Sequence, residues 1–221
     1  MQIHHQRVAE VLQELIAFKS GTTRIPIKSD SWEEIIWATF AFLEGEHKVH
    51  WDPQSHEQSV DIVVELEKRV IKISAKSGVI KRGAFLTISS YRLTTFSSLR
   101  DKLAFIRHQH MSFDYYLICA REDKREVVRY SLFQVAAERL APSWLLQPAH
   151  WKKESSGYVL KDGFAFKAKI VFKMSNQLWY TIPLTYFSQD ESVGDVEIPR
   201  EAMGRGLLQY LHEKYPQQTG K

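Results

Sequence analysis

The chain has 221 residues, 44% of them hydrophobic, a formal net charge of +4 and a sequence pI near 9.0. Six Trp, nine Tyr and twelve Phe exclude a disordered chain, which is poor in such residues, and the length suits one sizeable core, so residues 1–221 read as a single domain. The modest positive charge permits a polyanion partner without requiring one. The lone cysteine, Cys119, excludes an internal disulfide and a zinc ribbon. Inside the apolar run 115–120 it reads as a small core residue. The first residues lack the apolar centre of a signal peptide, and no apolar run approaches the ~20 residues a membrane span needs. A soluble, cytoplasmic protein is expected.

Val8, Val11, Leu12, Leu15 and Ile16 fall on one face at helical spacing and predict a helix over residues 5–18. Residues 21–30 read as a loop. A second helix is expected from Asp30 or Ser31 to about Leu43, burying Ile36, Phe40 and Leu43 beside Trp32 and Thr39, with Gly45 ending it. Residues 47–51 read as a strand before a turn at Asp52-Pro53. The Val- and Ile-rich stretches 60–66 and 70–74 read as strands, and 85–89 as a further one. Leu99, Leu103, Ile106 and His110 mark a helix that begins near Phe96. Residues 115–120 read as a buried strand, 126–130 as its hairpin mate and 132–140 as a helix. Beyond Pro142 the pattern turns mainly β, until a last helix over 200–215. This order predicts an α/β or α+β domain with a mixed sheet, its core at about residues 30–140.

The two Val/Ile strands are joined by a short polar turn. With Glu67-Lys68 as that turn, Val63 lies opposite Lys72 and Asp61 opposite Ser74. Side chains two apart share a face, so Asp61, Lys72, Ser74 and Lys76 project to one side. Ile62, Val64, Ile71, Ile73 and Ala75 project to the other, which must face the core. Cross-strand neighbours lie about 5 Å apart and diagonal ones about 7–8 Å. A carboxylate and an ammonium are thus set around one small volume, an arrangement suited to phosphodiester hydrolysis. The carboxylate can hold Mg²⁺ against a phosphate oxygen, and the lysine can orient a water or offset transition-state charge. The same spacing also fits a solvent-exposed hairpin face of alternating charge.

Further residues carry a resemblance. Trp32-Glu33 on a helix is followed by Ser55-His56-Glu57-Gln58-Ser59-Val60-Asp61-Ile62, then Ile73-Ser74-Ala75-Lys76-Ser77-Gly78, then Leu86-Thr87-Ile88-Ser89-Ser90-Tyr91-Arg92-Leu93. In order and spacing these resemble a type II restriction endonuclease of the PD-(D/E)xK nuclease superfamily, over about residues 30–95. The resemblance implies a restriction-endonuclease-like core, a central mixed sheet flanked by helices. It implies Asp61 as the metal-binding aspartate, Lys76 as the catalytic lysine and Glu33 as a glutamate joining the metal shell from the first core helix. It also implies Mg²⁺ as cofactor and site-specific cutting of double-stranded DNA by a homodimer. There are two departures. Val60 stands where a proline is usual, and Ser74 stands where the second acidic residue should be. Glu33 is the first candidate to replace that acid and Glu65, on the Asp61 face, the second. A repair, recombination or transposon-end nuclease, or a DNA-binding relative that has lost its acid, stays open beside the restriction reading.

Several of these residues have plainer roles available. Asp30-x-x-Glu33 and Ser31-x-x-Glu34 both read as capping boxes at a helix start. His56 either contacts a phosphate or positions water, or is a loop histidine bonded to backbone. For DNA, Ser77, Gly78, Lys81, Arg82 and Gly83 follow the lysine strand, where small residues allow close approach and cations meet phosphates. Ser89, Ser90, Tyr91, Arg92, Thr94 and Thr95 form a polar run suited to phosphate or to ordinary loop and cap bonds. In residues 164–174, Phe164, Phe166, Ala168, Ile170 and Phe172 alternate with Ala165, Lys167, Lys169, Val171 and Lys173, giving one apolar and one basic face. Paired with residues 178–186, this stretch reads either as a DNA-recognition hairpin region at about 150–190 or as a half-buried sheet with lysines in water. His150, Trp151, Lys152 and Lys153 extend the same surface. Leu207, Leu208 and Leu211 offer one apolar face for a dimer. No GxxxxGK[ST] loop, G-x-S-x-G elbow or H-E-x-x-H helix is present.

Overall fold

A computed structural model describes residues 5–51 and 60–214. The first helix, α1 (His5–Thr22), buries Val8, Leu12 and Ile16, and runs past its expected end at residue 18. Helix α2 (Ser29–Glu44) buries Trp32, Ile35, Ile36, Thr39 and Phe40. Gly45 ends it at φ 102°, its N–H donating to Ala41 O at 3.0 Å, a backbone conformation that side-chain-bearing residues avoid.

The strands are β1 (Val49–Trp51), β2 (Ile62–Leu66), β3 (Arg69–Lys81), β4 (Phe85–Arg92), β5 (Tyr115–Asp123), β6 (Val127–Ala136), β7 (Trp151–Glu154), β8 (Gly157–Leu160), β9 (Lys167–Val171), β10 (Gln177–Pro183) and β11 (Ser192–Pro199). Helix α3 (Leu99–His110) links β4 to β5, and α4 (Gly206–Lys214) follows β11. All eleven strands join one mixed sheet, ordered β11-β6-β5-β3-β4-β10-β9-β8-β7, with the β1–β2 pair attached to β3. The β3–β5 pair is parallel; the other pairs are antiparallel. A mixed sheet flanked by helices was expected, and so was the hairpin register: Ile62 faces Ile73 and Val63 faces Lys72.

Each face of the sheet has its own core. On one, α1 and α2 cover Ile62, Val64, Ile71, Ile73, Ala75, Leu117, Cys119, Tyr130 and Leu132. On the other, α3 and the segment after β6 cover Ile80, Leu86, Ile88, Tyr116, Ile118, Phe133, Ile170 and Tyr180. Cys119 is buried, as expected, and burial pushes its thiol pKa up.

Four expectations are corrected. Residues 132–140 are not a helix: β6 continues to Ala136 and only a short 3-10 turn, Ala137–Leu140, follows. Leu132 and Phe133 enter opposite cores, and a strand buried on both faces loses the alternation that would identify it. The strand expected over 70–74 runs on to Lys81, so Ser77 and Gly78 lie inside the sheet rather than in a loop facing DNA. The last helix begins at Gly206, after a turn over residues 201–204. The strand expected over 47–51 is reduced to β1, behind a 3-10 turn Glu46–Lys48.

Gly78 shows what its small size is used for. A Cβ there would stand 2.4 Å from Ile88 Cγ2 and 2.7 Å from both Leu86 Cδ1 and Thr87 O. Gly78→Val should therefore overpack the β3–β4 contact and destabilise the fold by about 1–3 kcal/mol, read as a drop of several degrees in melting temperature. An unchanged melt would mean that β4 is not packed against β3 as described.

Candidate active site

The sheet forks at β3. Strand β2 pairs with one edge of β3 as far as Ile62↔Ile73. Strand β4 takes the same edge only from Gly78↔Ile88 onward, while β5 runs along the opposite edge from Ile73 to Val79. Among the described residues no strand covers the edge between, at residues 74–77. A backbone group left without a ladder partner must find another one. At Ala75 both do so through the expected site residues. The Ala75 N–H donates to Asp61 Oδ2 at 2.7 Å, and the Ala75 carbonyl accepts from Lys76 Nζ at 2.8 Å. Ser74 Oγ donates to the same Asp61 oxygen at 3.2 Å, and Lys76 Nζ lies 3.5 Å from it. The Asp61 and Lys76 side chains are 18% and 19% exposed, and Ser74 is buried.

Glu33 arrives from α2. The helix starts at Ser29 with Lys28 at the cap position and no side-chain cap bond, so neither proposed capping box forms. Trp32 is fully buried and its Nε1 donates to Leu117 O at 2.8 Å, which fixes the helix against β5. Glu33, the next residue, accepts a hydrogen bond from Trp51 Nε1 at 3.3 Å. Its pKa is raised, first by burial and then by the negative charge of Asp61; the Trp51 bond and Lys76 oppose the rise. Two carboxylates and one ammonium thus act on one another at the fork. Glu34 points elsewhere, to Lys19 Nζ at 2.7 Å. Glu65 is exposed and meets His50 Nε2 at 3.2 Å, near the turn end of β2, so it does not supply the missing acid.

Magnesium asks for hard oxygen donors, keeps several waters and needs only one or two protein carboxylates. Glu33 and Asp61 offer that number of carboxylates, and the charge of Asp61 works against ionisation of Glu33. Among the described residues no three His, Cys, Asp or Glu side chains converge, and the Ser74 hydroxyl is already committed to Asp61. His56 and the turn at Asp52-Pro53 lie outside the described residues.

The other expected contacts divide sharply. Tyr91 is buried, not presented to DNA: a bulge in β4 opposite Gln177–Trp179 turns it inward, where its hydroxyl lies 3.1 Å from that of Tyr116. Ser90 is part of the same strand and its Oγ is shielded beside Tyr116. His150 bonds Trp144 O at 2.8 Å and Trp151 is buried, so neither extends a DNA surface. Lys81, Arg82, Arg92, Lys167, Lys169 and Lys173 are exposed. Arg82 (φ 54°) and Gly83 (φ 61°) form the tight turn joining β3 to β4. Beneath Lys76 lies a group whose role the sequence did not announce. Tyr116 OH is 3.4 Å from His110 Nδ1, and burial, aided by the Lys76 charge, lowers the His110 pKa to about 4. Helical spacing had placed His110 on the inner face of its helix, but not in reach of a lysine on β3.

Comparison with protein-family models, with curated proteins and with solved structures finds no match in any of the three.

The raised Glu33 pKa carries a sign. A carboxyl whose folded-state pKa exceeds its unfolded value contributes stability below the unfolded value and loses it as pH rises through the folded one. Glu33→Gln, which keeps an oxygen for Trp51, should therefore melt above the natural protein at pH 7, and the gap should close as the pH is lowered below about 4.5. A gap that stays constant with pH would remove Glu33 from the charged cluster.

Proposed function

We propose that this chain is a magnesium-dependent endonuclease that hydrolyses phosphodiester bonds of DNA. The observation that carries the reading is the convergence of Asp61, Lys76 and Glu33 on the open edge of β3. In this reading Glu33 and Asp61 hold the metal. Bound magnesium supplies Lewis-acid polarisation of the phosphate and a more acidic water. Asp61 is oriented for that task by Ala75 N–H and Ser74 Oγ, which fix one carboxylate oxygen. Lys76 sits where its ammonium can offset negative charge building on the phosphoryl oxygens, and partial burial makes that charge count for more than it would in water. The form that the sequence resemblance implies is site-specific cleavage of double-stranded DNA by a homodimer, each subunit cutting one strand.

The test is digestion of plasmid DNA in Mg²⁺. Asp61→Asn is preferred to alanine because the amide oxygen can still accept the Ala75 N–H. Asp61→Asn and Lys76→Ala should each lose about 100-fold or more of the cleavage rate while melting close to the natural protein. Discrete fragments sharing one end sequence support the restriction form, and cutting confined to branched or damaged DNA supports repair or recombination. Undiminished cleavage by either variant would eliminate this site.

A further inference from the structure

Helix α1 packs on β11, and α2 on β1, β2 and β3. The face they cover continues across β4, β10, β9 and β8, none of whose described residues joins the core beneath those two helices. Strand alternation and register determine what that open face displays. One row runs Ser89, Trp179, Lys169, Val159, Lys152 from β4 to β7. A parallel row runs Val79, Thr87, Thr181, Lys167 from β3 to β9. Their neighbours in each strand, such as Ile88, Tyr180 and Ile170, are buried on the opposite face, which confirms the assignment. From β3 to β9 these rows contain two exposed lysines, three hydroxyls and one partly exposed tryptophan, and no carboxylate. By the same alternation Ser77 of β3 lies on this face at the fork, while its neighbour Lys76 projects to the other face and brings its ammonium round to Asp61 and the Ala75 carbonyl at the strand edge.

We infer that this face binds single-stranded DNA, with a base stacked on Trp179 and the backbone crossing toward Lys167 and Lys169. Adjacent strands lie about 4.8 Å apart, so β3, β4, β10 and β9 together span about 14 Å. The major groove, about 12 Å wide, takes a helix or a two-stranded ribbon but not a sheet of that breadth whose strands are paired on both sides. A strand-separated segment has unstacked bases, and a flat sheet carrying an aromatic, hydroxyls and lysines meets both its bases and its phosphates. Lys167 is also within 3.7 Å of Asp162, a fully solvated pair that a phosphate can replace. The inference deepens the nuclease reading: the strand reaching the fork would be held open, as at a flap, fork or overhang. It can be tested apart from that reading, because binding needs no cleavage.

The experiment titrates the full chain, in EDTA, with a fluorescein-labelled 20-nucleotide oligothymidylate and with a blunt 20-base-pair duplex. The single strand should bind more tightly. Trp179→Ala should weaken it by about 5- to 150-fold, the range expected for one stacked base, while Trp179→Phe keeps a ring and most of the affinity. Lys167→Ala with Lys169→Ala should flatten the slope of log affinity against log salt by about 1.4, the value for two phosphate contacts on a single strand. A duplex that binds as tightly as the single strand, or a Trp179→Ala variant that melts normally and binds unchanged, would overturn the inference. Oligonucleotide binding without cleavage of any DNA in Mg²⁺ would then sink the nuclease reading alone.

Discussion

The organising constraint in this molecule is the gap along one edge of β3. A long central strand that gains and loses partners must satisfy its backbone where neither neighbour reaches. Here β2 leaves after Ile73 and β4 arrives at Gly78. Ala75 lies between them, and its N–H and C=O recruit the Asp61 carboxylate and the Lys76 ammonium. The hydrogen-bond requirement of the sheet itself therefore brings an acid and a base side chain together. Polar groups tied down in this way are oriented before any ligand arrives, which is the condition under which electrostatic stabilisation is strongest. The rest of the architecture serves that edge. Trp32 anchors α2 on β5, and so delivers Glu33.

The two-faced sheet explains why the polar groups at the fork do not undermine the fold. Ile73 and Ala75 look into the core beneath α1 and α2. Ser74 and Lys76, alternating with them, look toward the opposite core, where Tyr91, Tyr116 and His110 provide hydroxyl and imidazole neighbours instead of an unbroken apolar wall. Burial keeps His110 neutral across the physiological range, so the lysine faces one less competing positive charge. A charged histidine at that place would repel Lys76 from the carboxylate that holds it.

The pairing of Asp61 with Ser74 was legible from sequence because Val and Ile alternate cleanly on both strands around a two-residue polar turn, and a slip of one position would have exposed them all. The continuation of β3 past Ser74 was not legible, since Ser77 and Gly78 look like loop residues until their partners on β4 and β5 are known. Tyr91 was misplaced for a related reason. The strand was expected to end at Ser89, but β4 continues to Arg92, and a β-bulge that nothing local in Ser89-Ser90-Tyr91 announces turns Tyr91 inward. The helix expected over 132–140 failed because Leu132 and Phe133 are each buried on a different side. The basic face of β9 was legible, as alternation there is strict; its continuity with Ser89 and Trp179 depends on long-range register, which sequence spacing does not encode.

The serine at position 74 acquires a physical meaning in this setting. It is buried, and its hydroxyl donates to Asp61. A carboxylate in its place would face Asp61 across the ladder at low exposure, adding a third negative charge to a site that Lys76 only partly neutralises. Serine instead supplies a donor, and leaves two carboxylates against one ammonium. Such a site has a small net negative charge, and cation affinity in oxygen-lined sites scales with the charge the ligands bring. On the nuclease reading, Glu33 and Asp61 would then bind magnesium weakly by themselves and strongly only when a substrate phosphate adds its own oxygens, the arrangement by which magnesium is commonly shared between one or two carboxylates and a phosphate. Metal and DNA would enter as coupled ligands, because the serine leaves the site one negative charge short and the phosphate oxygens are what the metal then needs.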